Sequence, residues 1–216
     1  VDPALLAAVN ALDRAIARLN SFDWIVYSSV NGVDYFFRRR SERGGDARLL
    51  GGVKIAAIGP ATVEALEMHR LSTDAWPDEY RAEALAEKLA PVANGARFLL
   101  IRASRGREVL AEMLTAAGGH VEQVVAYDSM DVDKPASDIA AAMAAGEIAW
   151  TTVTSSAIAR NLVNLFGEDL RKTRLAAISP LTAGVLQELG HESATVAEEF
   201  TSAGLIDAIV AAATQD

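Results

Sequence analysis

Small hydroxyl groups gather wherever an apolar run of this chain breaks off. Ser28, Ser29 and Asn31 follow "WIVY", Gly59-Pro60-Ala61-Thr62 follows "KIAAI", Thr154, Ser155 and Ser156 close "WTTVTSS", and Ser179-Pro180-Leu181-Thr182 follows "LAAI". A hydroxyl at the start of a helix accepts a backbone N–H, and the remaining N–H groups there attract anions without any formal charge. Two readings stand at each turn: a helix cap alone, or a cap that also lines a ligand site. Arg102, at the end of "FLLIR", could hold a carboxylate or form a surface salt bridge. Tyr127, near the end of "VEQVVAYDSM", could donate a proton or hydrogen bond, or pack at a hinge.

Other chemistries lack their residues. The 216-residue chain has no cysteine, and its three histidines, His69, His120 and His191, show no ligand spacing, so no metal is expected. There is no G-x-G-x-x-G, no Walker loop and no Ser-His-Asp constellation. A formal net charge of -9 argues against a nucleic-acid surface. Neither a membrane span nor a signal peptide is evident, which points to the cytoplasm. Monomer is the default expectation. The first residue, Val1, is not methionine, which suggests that a preceding segment was removed or left out.

The elements that must position these groups alternate in type. Asp2-Pro3 reads as the cap and first residue of a helix to about Leu19. Strand-like runs then precede helical patterns: "WIVYSS" before 30 to 43, "VKIAAIG" before 61 to 70, "LSTDAW" before 80 to 90, and "RFLLIR" before 105 to 117. "HVEQVVAYDSM" is a further strand, and the polar "DVDKP" is a domain crossing. The alternation resumes with a helix at 136 to 145, "EIAWTTVTSS", a helix at 156 to 166, "RLAAIS", a helix at 181 to 189, "ESATVA" and a last helix from about 202 to 213. This pattern predicts an α/β protein of two similar domains, 1–127 and 128–216, with parallel sheets flanked by helices.

The halves are related in sequence. "IAAIGPATVEALEMHRL" aligns without gaps with "LAAISPLTAGVLQELGH" at an offset of 120 (55 to 175), and the same offset carries "EYRAEAL" onto "EFTSAGL". One strand-helix-strand stretch, "RFLLIRASRGREVLAEMLTAAGGHVEQVVAY", has no partner in the second half. The second domain is therefore expected to lack a strand-helix unit, which would lie before Val1. Strand ends of two such domains that faced one another would form a cleft lined with hydroxyls and amides, suited to a ligand with many carboxylates.

Taken in order and spacing, "FDWIVYSSVNGVDYFF", "IAAIGPATVEAL", "WPDEYRAEAL", "LLIRASRGREVLAEMLTAAGGHVEQVVAYDS", "VTSSAIARNL" and "AAISPLTAGVLQELG" resemble the uroporphyrinogen-III synthase family over nearly the whole chain. The resemblance implies two α/β domains joined by a two-stranded linker, one of them completed from both ends of the chain. It implies a lyase that uses neither metal nor organic cofactor. Its small-molecule substrate is hydroxymethylbilane, a linear tetrapyrrole with eight carboxylates, which is closed with inversion of the last ring and loss of water. Tyr127 matches the tyrosine proposed to assist loss of the hydroxyl. Thr62 and Thr182 match the threonines of the two "GPxT"-type turns, with Ser179 in place of glycine in the second. Ser28, Ser29 and Asn31 match the "TS-x-N" edge, Ser28 replacing threonine, and Thr154, Ser155 and Ser156 match the second edge. The family's first strand, ending in "TR", has no counterpart here. A non-catalytic tetrapyrrole-binding or regulatory module of the same fold is the alternative reading.

Overall fold

Strand β1 (Trp24–Tyr27) is buried along its entire length, because the short apolar run "WIVY" has a neighbouring strand on each side and helices on both faces. A computed structural model describes residues 3–214 of the chain. Asp2, the expected cap of the first helix, lies outside them. That helix, α1 (Pro3–Ala17), precedes β1, and α2 (Val30–Glu42), β2 (Lys54–Ala57), α3 (Pro60–Met68), α4 (Ala82–Leu89), β3 (Arg97–Ala103), α5 (Val109–Ala116) and β4 (His120–Tyr127) follow. These form a first unit, Val1–Ser129, around a four-stranded, all-parallel sheet of order β2-β1-β3-β4.

Alternation along the strands divides the core of this unit in two. Ile25, Tyr27, Leu99 and Ile101 pack with Phe36, Phe37 and Leu66 from α2 and α3. Trp24, Val26, Phe98 and Leu100 pack on the other face with Leu85, Leu89, Leu110 and Leu114 from α4 and α5.

The second unit, Met130–Asp216, is built from α6 (Ser137–Ala145), β5 (Trp150–Val153), α7 (Ser156–Phe166), β6 (Arg174–Ala177), α8 (Pro180–Glu188), β7 (Thr195–Val196) and α9 (Ser202–Ala213). Its parallel sheet has three strands, β5-β6-β7. The repeat is literal in space: β6 begins 120 residues after β2 (54 to 174), and α8 and α9 begin 120 after α3 and α4 (60 to 180, 82 to 202). Where β1 lies between β2 and β3, its counterpart β5 has β6 on one side and no strand on the other among the described residues.

The expected strand at "LSTDAW" reduces to a single bridge between Ala56 and Ala75. Backbone bonds from Asp74 and Ala75 to the Ile55 carbonyl remain, but the Asp74 carboxylate accepts the Ile55 N–H at 2.7 Å, and Pro77, which has no N–H, stops further pairing. In the second unit "ESATVA" keeps a two-residue strand, β7, against β6.

Two polar groups of the first unit, one half-buried and one buried, lead to opposite expectations. Asp13 of α1, 15% exposed, receives Arg39 through both carboxylate oxygens (2.7 and 2.8 Å) and Arg43 at 2.9 Å, joining α1 to α2. The hydrogen bond from Arg39 holds its carboxyl below the usual range. Its contribution is therefore present above the unfolded value near 3.9 and lost as pH falls through the lower folded value. Asp13→Asn should cost about 1 kcal/mol at pH 7, and the gap to the parent protein should close below about pH 4 in urea titrations. The Tyr27 hydroxyl, by contrast, is buried without a partner, and desolvation pushes its pKa well above the usual phenol value. Tyr27→Phe should raise unfolding stability by about 1 kcal/mol in the same titration.

Candidate functional site

In the first unit the strand ends come together. Ser28 donates to the Ile101 carbonyl at 3.4 Å, linking the end of β1 to β3. Ser29 caps α2, its Oγ accepting the Gly32 N–H at 3.1 Å, and the same oxygen lies 2.9 Å from the Tyr127 hydroxyl. At Gly32 a Cβ would make ordinary contact, 3.5 Å from the Ile101 carbonyl oxygen, so α2 starts beside the end of β3. Register between β3 and β4 shifts after Arg102, so that Tyr127, not Ala126, stands opposite Ala103. Ser28, Ser29, Arg102 and Tyr127 all border one cavity of about 230 Å³, with an apolar floor that includes Val26, Leu100 and Leu110. Asn31, in the first turn of α2, is exposed.

Arg102 reaches this cavity already engaged. Its guanidinium pairs with Glu108, donates to Gln123 at 2.6 Å and to the Gly106 carbonyl at 3.1 Å, and its side chain is 15% exposed. Gln123 first, and Arg102 next, hold the Glu108 carboxyl below its ordinary pKa. These contacts fold the 104–108 segment over one wall, and Arg107 pairs with Glu83 of α4. Glu108, Gln123 and Glu83 were not legible as partners, because the turn after β3, the pairing of β4 with β3 and the packing of α4 bring them to Arg102 and Arg107.

The turns after β2 and β6 differ despite their aligned sequences. Gly59 precedes α3 at φ 81°, ψ 155°, a conformation open essentially to glycine alone. Ser179, in ordinary extended backbone, caps α8 by accepting the Thr182 N–H at 3.3 Å, and its Oγ lies 3.1 Å from Thr182 Oγ1. Thr62 and Thr182 are 4% and 3% exposed, so both face inward beneath their turns.

In the second unit Ser155 caps α7, accepting the Ile158 N–H at 3.1 Å, as Ser29 does for α2. Thr154 is exposed and Ser156 half-buried beside it. Thr201, passed over in the sequence although "EFTSAGL" carries the signal of a cap, accepts the Gly204 N–H at 3.0 Å at the start of α9. Tyr35 and Arg38 were also missed. The Tyr35 ring stacks on Tyr127 with centroids 5.5 Å apart and planes 20° apart, and Arg38 lies 4.3 Å over the Tyr35 ring. Their i, i+3 spacing was readable, but not that Tyr127 would lie beside them.

This arrangement defines a class: a two-unit α/β protein that presents capped helix starts and a hydrogen-bonded tyrosine at the carboxyl edge of a parallel sheet. A family model described as uroporphyrinogen-III synthase HemD matches residues 4–207. The uroporphyrinogen-III synthase of Synechococcus elongatus is 30% identical over 209 residues, covering 92% of this chain and 78% of that protein, and that of Chlorobaculum parvum is 25% identical, covering 90% and 81%. Among solved structures, uroporphyrinogen-III synthetase of Helicobacter pylori superposes with a TM-score of 0.64 (18% identity, 89% of this chain and 84% of that one). A mutant synthase of Thermus thermophilus gives 0.62 (18% identity, 99% and 84%). The chain belongs to the uroporphyrinogen-III synthase HemD family, an enzyme family of porphyrin biosynthesis. No helix among the described residues is long and apolar enough to cross a membrane.

The two turns should respond differently to substitution. Gly59→Ala has room for its methyl, with Tyr80 Cβ 3.7 Å away, yet should cost about 1–2 kcal/mol through backbone strain alone. Ser179→Gly should cost about 1 kcal/mol by a different route, since glycine is a tolerated cap but removes the partner of the buried Thr182 hydroxyl. Chemical denaturation of the two variants checks both values.

Proposed function

We propose that this chain is a uroporphyrinogen-III synthase, a hydro-lyase that closes hydroxymethylbilane with inversion of the last ring and release of water. The observation that carries the reading is the Tyr127 hydroxyl, held 2.9 Å from Ser29 Oγ at the border of the cavity. Ser29 Oγ already accepts the Gly32 N–H, so its own O–H is available to donate to Tyr127 Oη. That direction leaves the phenol proton for an external acceptor and supports the charge that develops on the oxygen when the proton leaves. The acceptor in this reading is the departing hydroxyl of the substrate: the proton moves from Tyr127 Oη to that oxygen, the carbon–oxygen bond breaks, and water leaves. Ring closure and rearrangement then follow in a chain whose reacting ends are held by orientation.

Eight carboxylates need donors. Ser28, Ser29, Asn31 and the start of α3 near Thr62 serve in one unit, and Thr154, Ser155, Ser156 and the start of α8 near Thr182 in the other. Arg102, bound to Glu108, serves by fixing the wall of the cavity. The proposal carries with it a cytoplasmic monomer that uses no metal or organic cofactor.

The test is a coupled assay that feeds freshly generated hydroxymethylbilane and separates the type I and type III isomers after oxidation. Predominant type III product is expected, and type I alone would sink the reading and leave a binding module. Tyr127→Phe should lower turnover at least about tenfold. The unfolding free energy of that variant should change by under about 1 kcal/mol, as expected for one partly buried hydrogen bond. An unchanged rate would reduce Tyr127 to a packing residue.

A further inference from the structure

Helix α2 carries Tyr35 and Arg38 on one face, three residues apart. From Ser29 outward the groups stand in file: Ser29 Oγ 2.9 Å from the Tyr127 hydroxyl, the Tyr127 ring 5.5 Å from the Tyr35 ring, and the Arg38 guanidinium 4.3 Å from the Tyr35 centroid. Tyr35 is 38% exposed and Arg38 is exposed.

Of the nearby arginines, Arg40 is buried over the Phe37 ring, out of reach of a ligand, and others are engaged with carboxylates. Arg39 binds Asp13 and Glu42, Arg102 binds Glu108, and Arg107 binds Glu83. Arg38 has no carboxylate partner among the described residues and rests on an aromatic face instead. A guanidinium has five N–H donors, and one resting on a ring keeps donors free in the planar fork that matches a carboxylate. The stack thus holds a charged donor in place while leaving its hydrogen-bonding edge open.

We propose that Arg38, resting on Tyr35, is a carboxylate-binding site that holds one acid group of the substrate beside Tyr127. The inference rests on the reading of this edge as one that binds a polycarboxylate. It adds a specific cation to a set of neutral donors, at a position that neither the hydroxyl turns nor the sheet edge indicated.

The experiment pairs two variants that remove the same charge. Arg38→Met keeps an unbranched stem over the Tyr35 ring, while Arg48→Met removes an 89% exposed arginine bound to Asp46. Calorimetric titration with uroporphyrin III, a stable porphyrin with eight carboxylates, is run on the full chain alongside the isomer assay. Arg38→Met should weaken binding and raise KM by about tenfold, with kcat within about twofold, and Arg38→Lys should recover part of the loss. Arg48→Met should match the parent protein, which separates a local contact from a change in overall field. Equal effects of the two methionine variants, or no binding of uroporphyrin by the parent chain, would overturn the proposal. A parent chain that makes no type III isomer, yet binds uroporphyrin in an Arg38-dependent way, would sustain the subsite and sink the synthase reading.

Discussion

A parallel strand cannot return to its neighbour by a hairpin, and that constraint organises everything at the edge of these sheets. Each strand must be followed by a crossover, here usually a helix, and each helix begins with N–H groups that have no partner of their own. The hydroxyls are placed by this necessity: Ser29, Ser155, Ser179 and Thr201 each accept an N–H three residues on. Capping and function are not alternatives at such a residue. A hydroxyl that accepts an N–H still has a proton to donate and a second lone pair, and Ser29 shows it by bonding Gly32 and Tyr127 through one oxygen.

The two units meet the same constraint with different means. Both follow their second strand with Pro at the first helical position, but one closes the turn with a glycine at positive φ and the other with a capping serine. Their cores differ more. The first sheet is packed on both faces by large side chains, among them Phe36, Phe37, Phe98 and Trp24, whereas one face of the second is covered by α9 with Ala176, Ala197 and Leu205 as its buried members. Tyr127 and the Arg102 network belong to the strand-helix-strand stretch that only the first unit shows. The repeat gives both edges helix starts, and in the first unit this stretch gives the edge a phenol and a fixed wall as well.

Much of this was legible, for physical reasons that mark where legibility ends. Short apolar runs such as "WIVY" and "RFLLIR" read as strands because a strand buried on both faces needs no alternation, and Pro60 and Pro180 fixed the helix starts. The offset of 120 predicted that β6 and α8 would copy β2 and α3. "LSTDAW" misled because its β-rich composition outweighed Asp74, whose carboxylate replaces a ladder bond. The site residues were readable as types, but their partners were not. Tyr35 and Tyr127 are 92 residues apart (35 to 127) and meet only because β4 lies beside β3 and β3 beside β1, an order that no local pattern encodes. Arg102 read equally as a ligand donor or a salt bridge because its partner, Glu108, returns to it through an irregular turn.

The distribution of charge follows from the same logic. A chain of net charge -9 that binds a polyanion must do so against its own long-range field, so the attraction has to be local. Neutral donors suit that task, since a capped helix start offers oriented N–H groups without adding a charge that acidic neighbours would neutralise. A guanidinium near an acidic surface is captured by a carboxylate of the protein unless something else holds it. Arg39, Arg102 and Arg107 are each paired with a carboxylate of the protein. Resting on an aromatic ring can hold an arginine in place without using up its donors, as at Arg38, although Arg18 lies over Phe22 and is bound by Glu122 as well. In a protein this acidic, the aromatic residues beside Tyr127 thus bear on where a positive charge can be kept available, as well as on how the core is filled.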